Sequence, residues 1–347
     1  MAKPAPSGDL LGFIARVLAA AMIIGLIVLT WQLRQLLLII FGAILVSVIL
    51  RLVAAPINRR LHVPPSLALG LAVLLVVALI GAIVWFFGAD IGNQTRSLNQ
   101  MLPEAWQNLQ RRLQQAGWGE PLDRWLENIR SSAVSNIGHF ALAAGGGLGT
   151  TIIVIVGGIF IAAQPDLYRT GLIKLIPPRQ RDLGGEAVTD AGASLGLWLR
   201  GRMVSMAIVC TLTAAGLYMI GVPSWLALGL LSGLLEFIPF VGPIISAIPA
   251  VLLALALSPN AALWTVALYA IVQQIEGNII EPLVQQRAVS IPPALLMFGI
   301  VAASMLFGIG GVILGAPLTV VIYVLVKRLY VREALDTETP LPTDPGR

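Results

Sequence analysis

The chain has 347 residues, of which 57% are hydrophobic and only 11% charged, with a formal charge of +5. Soluble domains carry roughly 25% charged residues, so this composition excludes an ordinary water-soluble fold. Many apolar runs approach about 20 residues, which indicates an all-α polytopic membrane protein. The runs are continuous and do not alternate, which argues against barrel strands. The single cysteine, Cys210, leaves no intrachain disulfide and no cysteine metal site. Two histidines far apart, His62 and His139, leave little for a zinc or histidine-based catalytic centre. In a membrane chain, basic residues report topology rather than nucleic-acid binding.

Spans are expected at 13–30 and 35–50, joined as a tight hairpin through Trp31 and Arg34, and at 67–88, closing on the aromatic belt Trp85-Phe86-Phe87. The N-terminus lacks the small-residue cleavage pattern of a secretory signal, so the first span is expected to be retained. Residues 1–89 therefore form an N-terminal membrane unit. Residues 90–147 are polar, with Leu98, Leu102, Trp106, Leu109 and Leu113 at helical spacing, which predicts extracytoplasmic amphipathic helices, either a lid or subunit contact or a solvated cap. A fourth span at 148–163 leads to a basic connection at 164–202. A transport core at 203–329 and a tail at 330–347 complete the chain.

With the N-terminus inside, sixteen Lys and Arg residues fall inside and six outside, and the reverse orientation inverts that ratio. Both termini and the 164–202 connection are therefore expected in the cytoplasm.

Beyond residue 222 the apolar segments shorten. Those at 224–238, 244–257, 293–307 and 312–326 would each rise roughly 21–23 Å as helices, less than a hydrocarbon core of about 30 Å. They come in pairs around Gly/Pro-rich breaks that resemble each other, G-P-I-I-S-A-I-P from Gly242 and G-G-V-I-L-G-A-P from Gly310. With the orientation above, one pair is entered from outside and the other from inside. That predicts about eight membrane segments including two inverted re-entrant helical hairpins, an arrangement of secondary transporters with a site between the repeats. Full crossing by all four segments is the alternative. Pro249 and Pro317 cannot donate to the carbonyls of Ile245 and Ile313, which need a cation, a polar solute, a water or a neighbouring hydroxyl.

Three carboxylates lie in or beside this apolar sequence. Glu236 precedes Pro239, Gly242 and Pro243. Glu276 and Glu281 lie in Q-Q-I-E-G-N-I-I-E-P, where Gln274, Asn278 and Glu281 share one helical face and Gln273 and Glu276 form a neighbouring patch. Glu281, just before Pro282, is expected at the interface. An intramembrane carboxylate serves transport or gating, or is held structurally by a basic partner or helix dipole. The substrate- or ion-binding candidates are Glu236, Pro239, Gly242, Pro243, Gln273, Gln274, Glu276, Asn278, Gly310 and Pro317.

The stretches L-E-F-I-P-F-V-G-P-I-I-S-A-I-P from Leu235, Q-Q-I-E-G-N-I-I-E-P from Gln273 and G-I-G-G-V-I-L-G-A-P-L from Gly308 resemble the autoinducer-2 exporter (AI-2E) family of bacterial inner-membrane proteins. S-L-G-L-W-L-R-G-R from Ser194 is similar to the family's stretch before the fifth span, with Trp198 where a tyrosine and Arg202 where a glutamine are usual. An aspartate-containing turn usual after the fourth span is shifted or lost here, at Gln164-Pro165-Asp166. The resemblance implies a multipass inner-membrane transporter exporting a small polar, quorum-sensing signal such as autoinducer-2. Some relatives imply sodium (lithium)/proton antiport instead, with H⁺ or Na⁺ as coupling ion, and a non-transporting membrane organiser is the reading from another class.

No nucleotide-cradling G-x-x-x-x-G-K-[ST] is present, and no apolar span carries a hydrolytic constellation, so neither an enzyme nor a bound cofactor is expected. The expected partners are membrane lipid, a small polar solute or cation, and further copies of the chain in a homo-oligomer, with no nucleic acid.

Overall fold

The computed structural model describes residues 8–79, 81, 148–282, 291–337 and 339. The aromatic belt at 85–87, the amphipathic region at 90–147, the loop around Arg287 and most of the tail lie outside them. The described residues are mostly helical, joined by short turns, with no strand among them.

Helix α1 (Gly8–Gln32) and α2 (Arg34–Leu61) meet at Leu33, but they do not fold back on each other as the expected hairpin would. The apolar side chains of α1, Phe13, Leu18 and Met22 among them, stay exposed. The hairpin forms one helix later. Helix α2 ends at His62 in a left-handed cap, Asn58 donates to the Val63 carbonyl, and α3 (Pro65–Leu79) returns along α2 with Ala54, Ala68 and Ala72 at the contact.

Helix α4 (Leu148–Ala163) packs on α2 through small residues. A Cβ at Gly158 would stand 2.6 Å from Val46 Cγ1, and one at Gly157 3.3 Å from the Ala43 Cβ. Close helix approach of this kind is how membrane helices associate without a hydrophobic driving force between them. The chain then turns by 92° into α5 (Pro165–Lys174), with Pro165 at the start of the new helix, where its missing N–H costs nothing.

The next helix organises the rest. α6 (Arg181–Ile220) is 40 residues long, about 60 Å, twice the thickness of a hydrocarbon core. The end of the polar connection, from Arg181 to Arg202, and the start of the expected transport core, from Met203 to Ile220, are one continuous helix, closed by Gly221 at φ +83°. α6 touches α2 through Leu45, Leu195 and Leu199, and the final helix through Ala191, Val320 and Val324. At its far end Leu217 packs with Leu228, Ala250, Ala254 and Tyr269.

Two helical hairpins follow. α7 (Trp225–Leu235) and α8 (Val241–Leu257) form the first, and α9 (Pro259–Ile275) then packs on α8. α10 (Pro293–Phe307) and α11 (Ile309–Val326) form the second. The breaks fall earlier than the repeated Gly/Pro motifs. The chain turns at Glu236–Phe240, with Phe240 at φ +66°, and at Gly308, with φ +62°. Pro249 and Pro317 sit inside the return helices α8 and α11. Proline cannot adopt the positive φ found at Phe240 and Gly308, and Pro249 and Pro317 both lie C-terminal to these positions.

Both turns close on a glycine. A Cβ at Gly242 would lie 1.9 Å from the Leu235 carbonyl oxygen, and one at Gly311 1.9 Å from that of Ala303. The two hairpins thus share a construction the sequence motif signalled, offset by one residue from the alignment that pairs Gly242 with Gly310.

Three stretches among the described residues are long and apolar enough to cross a membrane singly: Arg34–Leu61, Pro178–Ile220 and Ile309–Ala334; the bent α4–α5 pair is a fourth. Ile309–Ala334 is α11 continued by a π-helical stretch, Lys327–Ala334, whose charged residues extend the helix beyond its apolar part, Ile309–Val326. The other apolar helices, among them α3, α7, α8 and α10, have 10–17 residues.

Candidate functional site

Glu236 caps the C-terminal end of α7, at the first residue of the break. Leu235 and Phe237 are apolar, so the carboxylate enters the helix bundle where the chain leaves helical geometry. It is 1% exposed. Glu276 arrives from α9, where the helix loosens into a π-turn, Glu276–Ile280. π-turns are rare and concentrate at functional positions, because one extra residue re-aims a side chain. Thr265, Tyr269, Val272 and Glu276 are all buried, a stripe of period 3.6 that turns Glu276 inward.

Between the two carboxylates lies Arg202 of α6. Its Nη2 donates to Glu236 Oε1 at 3.0 Å and its Nη1 to Glu276 Oε1 at 3.1 Å. The planar fork of a guanidinium suits two acceptors at once. One cation therefore ties α6, the tip of the first hairpin and the π-turn together. Gln273, one turn before the π-turn, approaches the Glu236 carboxylate, but no hydrogen bond of good geometry reaches Glu236 Oε2. Among the described residues, Glu236 Oε2 and Arg202 Nε are both buried without a hydrogen-bond partner. Buried polar atoms in native proteins are nearly always paired, so Glu236 Oε2 keeps unused acceptor capacity beside Gln273.

The second hairpin approaches at the same level. Phe237 of the first break and Leu314 of α11 both pack against the cluster of Leu45, Leu195 and Leu199, the last two less than two turns from Arg202 on α6. Trp198 meets the Phe237 ring edge-on, with centroids 6.1 Å apart.

A second polar cluster lies one turn from the first. The Tyr269 hydroxyl is 2.7 Å from Ser232 Oγ and donates to the Ser246 carbonyl at 3.2 Å. Ser232 is one turn before Glu236, and Tyr269 one turn before Gln273. The Tyr269 hydroxyl thus reaches the carbonyl of Ser246, the neighbour of the Ile245 carbonyl that Pro249 leaves without its helical donor.

The structure divides the sequence candidates into three groups. Glu236 and Glu276 converge on Arg202, and Gln273 approaches Glu236. Pro239, Gly242 and Pro243 are buried in and after the break and shape it. Gln274 and Asn278 are exposed on the opposite face of α9, bonded to each other at 3.2 Å beside a shallow hollow lined by Ala270, Ile271, Ile275 and Ile279. Gly310 faces Leu38 of α2, and Pro317 is buried within α11, neither of them at the ion cluster.

Arg202 is the residue sequence reasoning missed, because it counted among the basic residues that set topology. Its signal was its place at the start of an apolar run, where the resembling family carries a neutral amide. Tyr269, Ser232 and Ser246 were missed as hydroxyls within apolar runs. Among the described residues no three His, Cys, Asp or Glu side chains converge as metal ligands.

A sequence model described as AI-2E family transporter matches residues 18–330. The chain belongs to the AI-2E family. Among its relatives, YrrI of Bacillus subtilis strain 168 is 32% identical over 200 residues, which cover 58% of this chain and 54% of YrrI. YueF of the same strain is 27% identical over 316 residues, covering 84% of this chain and 83% of YueF. Both are named as candidate transport proteins. The AI-2 transport protein TqsA of Escherichia coli K12 is 22% identical over 284 residues, covering 78% of this chain and 79% of TqsA. Membership of the AI-2E transporter family, together with the apolar helices, makes this chain a multipass membrane transport protein.

Proposed function

We propose that this AI-2E family member is a secondary transporter in which a small polar solute passes the Arg202–Glu236–Glu276 cluster by alternating access. The observation that carries the reading is the guanidinium held between two carboxylates from separate elements, in a helix bundle otherwise apolar, with one carboxylate oxygen open. A solute rich in hydroxyl and carbonyl groups, such as the autoinducer-2-type signal for which TqsA is named, offers a donor to Glu236 Oε2 and an acceptor to the guanidinium. The hairpins α7–α8 and α10–α11, which both pack against the Leu45, Leu195 and Leu199 cluster, are the parts that move, and re-entry from opposite faces is the topology this motion suits. The chain then sits in the inner membrane of a bacterium with both termini in the cytoplasm, and assembles as a homo-oligomer.

A second reading rests on charge. Two ionised carboxylates on one guanidinium leave one negative charge in excess, which a proton or Na⁺ completes, so exchange of the two is the alternative cargo. Proteoliposomes loaded with an autoinducer-2-type furanone and a pH dye separate the readings. Furanone efflux that falls at least tenfold in Glu236→Gln supports solute export. Na⁺-driven pH change lost in the same variant, with no furanone movement, replaces it with cation exchange. Neither flux from assembled protein defeats both.

A further inference from the structure

The helix that leaves the bundle sideways has a face that no described residue covers. α5 runs at 92° to α4 and contains no buried residue. Its inner side is fixed by α6. A Cβ at Gly184 would stand 2.2 Å from Ile176 Cδ1 and one at Gly185 3.5 Å from Ile173 Cδ1, so these two isoleucines rest on the glycine pair. Arg169 Nη2 donates to Thr189 Oγ1 of α6 at 2.7 Å. At about 100° per residue, Leu167, Tyr168, Leu172 and Leu175 fall together on the outer side. All four are exposed, Leu175 at 82%.

Basic groups border this stripe. Arg169 lies along one edge and Lys174 along the other, and Arg179 and Arg181 follow in the next turn, against two acids, Asp166 and Asp182. Arg181 is engaged in capping, donating to the carbonyls of Ile176 and Lys174. An exposed apolar stripe with cations at its edges, on a helix perpendicular to an apolar span, has the form of an interfacial helix lying at the headgroup layer. Long basic side chains there bury their stems and lift their charges to the phosphates.

We propose that the outer face of α5 and the Pro177–Arg181 turn form a docking surface for anionic phospholipid, with Lys174 and Arg179 on the headgroup phosphate and Leu167, Leu172 and Leu175 among the upper acyl carbons. The charge is complementary to an anionic headgroup, and the right-angle exit from α4 puts the face where such headgroups are. This surface is independent of what the transporter carries.

The test is native mass spectrometry of the full chain in detergent, titrated separately with phosphatidylglycerol and phosphatidylcholine of the same acyl chains. Wild type is expected to bind phosphatidylglycerol at least tenfold more tightly. Lys174→Gln/Arg179→Gln is expected to bring that preference to about twofold or less, and Leu175→Ser to weaken both lipids alike. Wild type without preference, or a preference unchanged in the double variant, overturns the proposal. Loss of an oligomer instead of lipid in the double variant assigns the face to a second copy of the chain and also overturns it. Where the double variant melts early, Arg179→Gln alone, beyond the helix, is expected to weaken phosphatidylglycerol about threefold, and unchanged affinity there has the same force.

Discussion

Arg202 Nη2 and Glu236 Oε1 are 3.0 Å apart, and this bond links the tip of the first hairpin to α6, the longest of the described helices. The same guanidinium reaches Glu276. Removing one partner of a buried ion pair is far more damaging than removing all partners, because the group left behind keeps its desolvation penalty.

Arg202→Met strands two carboxylates and is expected to destabilise the protein by about 3–5 kcal/mol, read as an early melting transition in detergent. Arg202→Met/Glu236→Gln/Glu276→Gln, with no charge left, is expected to recover most of that loss while transport stays absent. A triple variant that transports like wild type would remove the cluster from the mechanism.

The two carboxylates are not equivalent. Glu236 has the open oxygen and is the more deeply buried. Flux in proteoliposomes is expected to fall at least tenfold in Glu236→Gln and by a smaller factor in Glu276→Gln, which keeps a hydrogen-bond acceptor for Arg202. The reverse order would move the binding position to the π-turn.

Gly242→Ala and Gly311→Ala each put a methyl group 1.9 Å from a carbonyl oxygen of the preceding helix. Each is expected to cost about 3 kcal/mol as the turn is forced open. Gly192→Ala, with nothing within 4 Å of the added methyl, serves as the neutral control. Thermal unfolding of the three variants in one detergent gives the comparison.

Tyr269→Phe removes the contacts to Ser232 and to the Ser246 carbonyl. The expected cost is about 1–2 kcal/mol, with flux reduced less than in Glu236→Gln. Equal loss of flux in the two variants would place the hydroxyl cluster within the site itself.

Gln274→Ala/Asn278→Ala is expected to leave flux within about twofold of wild type, because this pair faces away from Arg202 and bonds internally. A tenfold loss would show that the outer face of α9 takes part in transport.

Much of this was legible in the chain. The apolar runs marked the helices, and Glu236 and Glu276 stood out because carboxylates in such runs are expensive. The hairpins were legible from paired Gly/Pro breaks, but not the turn positions, since a positive φ at Phe240 has no sequence signature of its own. The face of α9 was open to two readings. Gln274 and Asn278 share a face, as do Gln273 and Glu276, and only the buried stripe Thr265, Tyr269 and Val272 shows which side turns inward. Arg202 stayed hidden because the positive-inside count treats every arginine near a span end alike, whereas a tertiary contact 34 residues away in sequence decides its role.

α6 is held a second time. Arg328, just beyond α11, pairs with Glu186 and lies 3.6 Å from Asp190, both on the projecting end of α6. Asp190 and Arg202 are about 18 Å apart along the helix. Mechanically, α6 is a rod clamped at two points, each clamp an arginine between two carboxylates and each belonging to a different hairpin. In the alternating-access cycle proposed above, tilting the two hairpins against α6 in opposite senses would require the contacts of Arg202 and of Arg328 to open in turn.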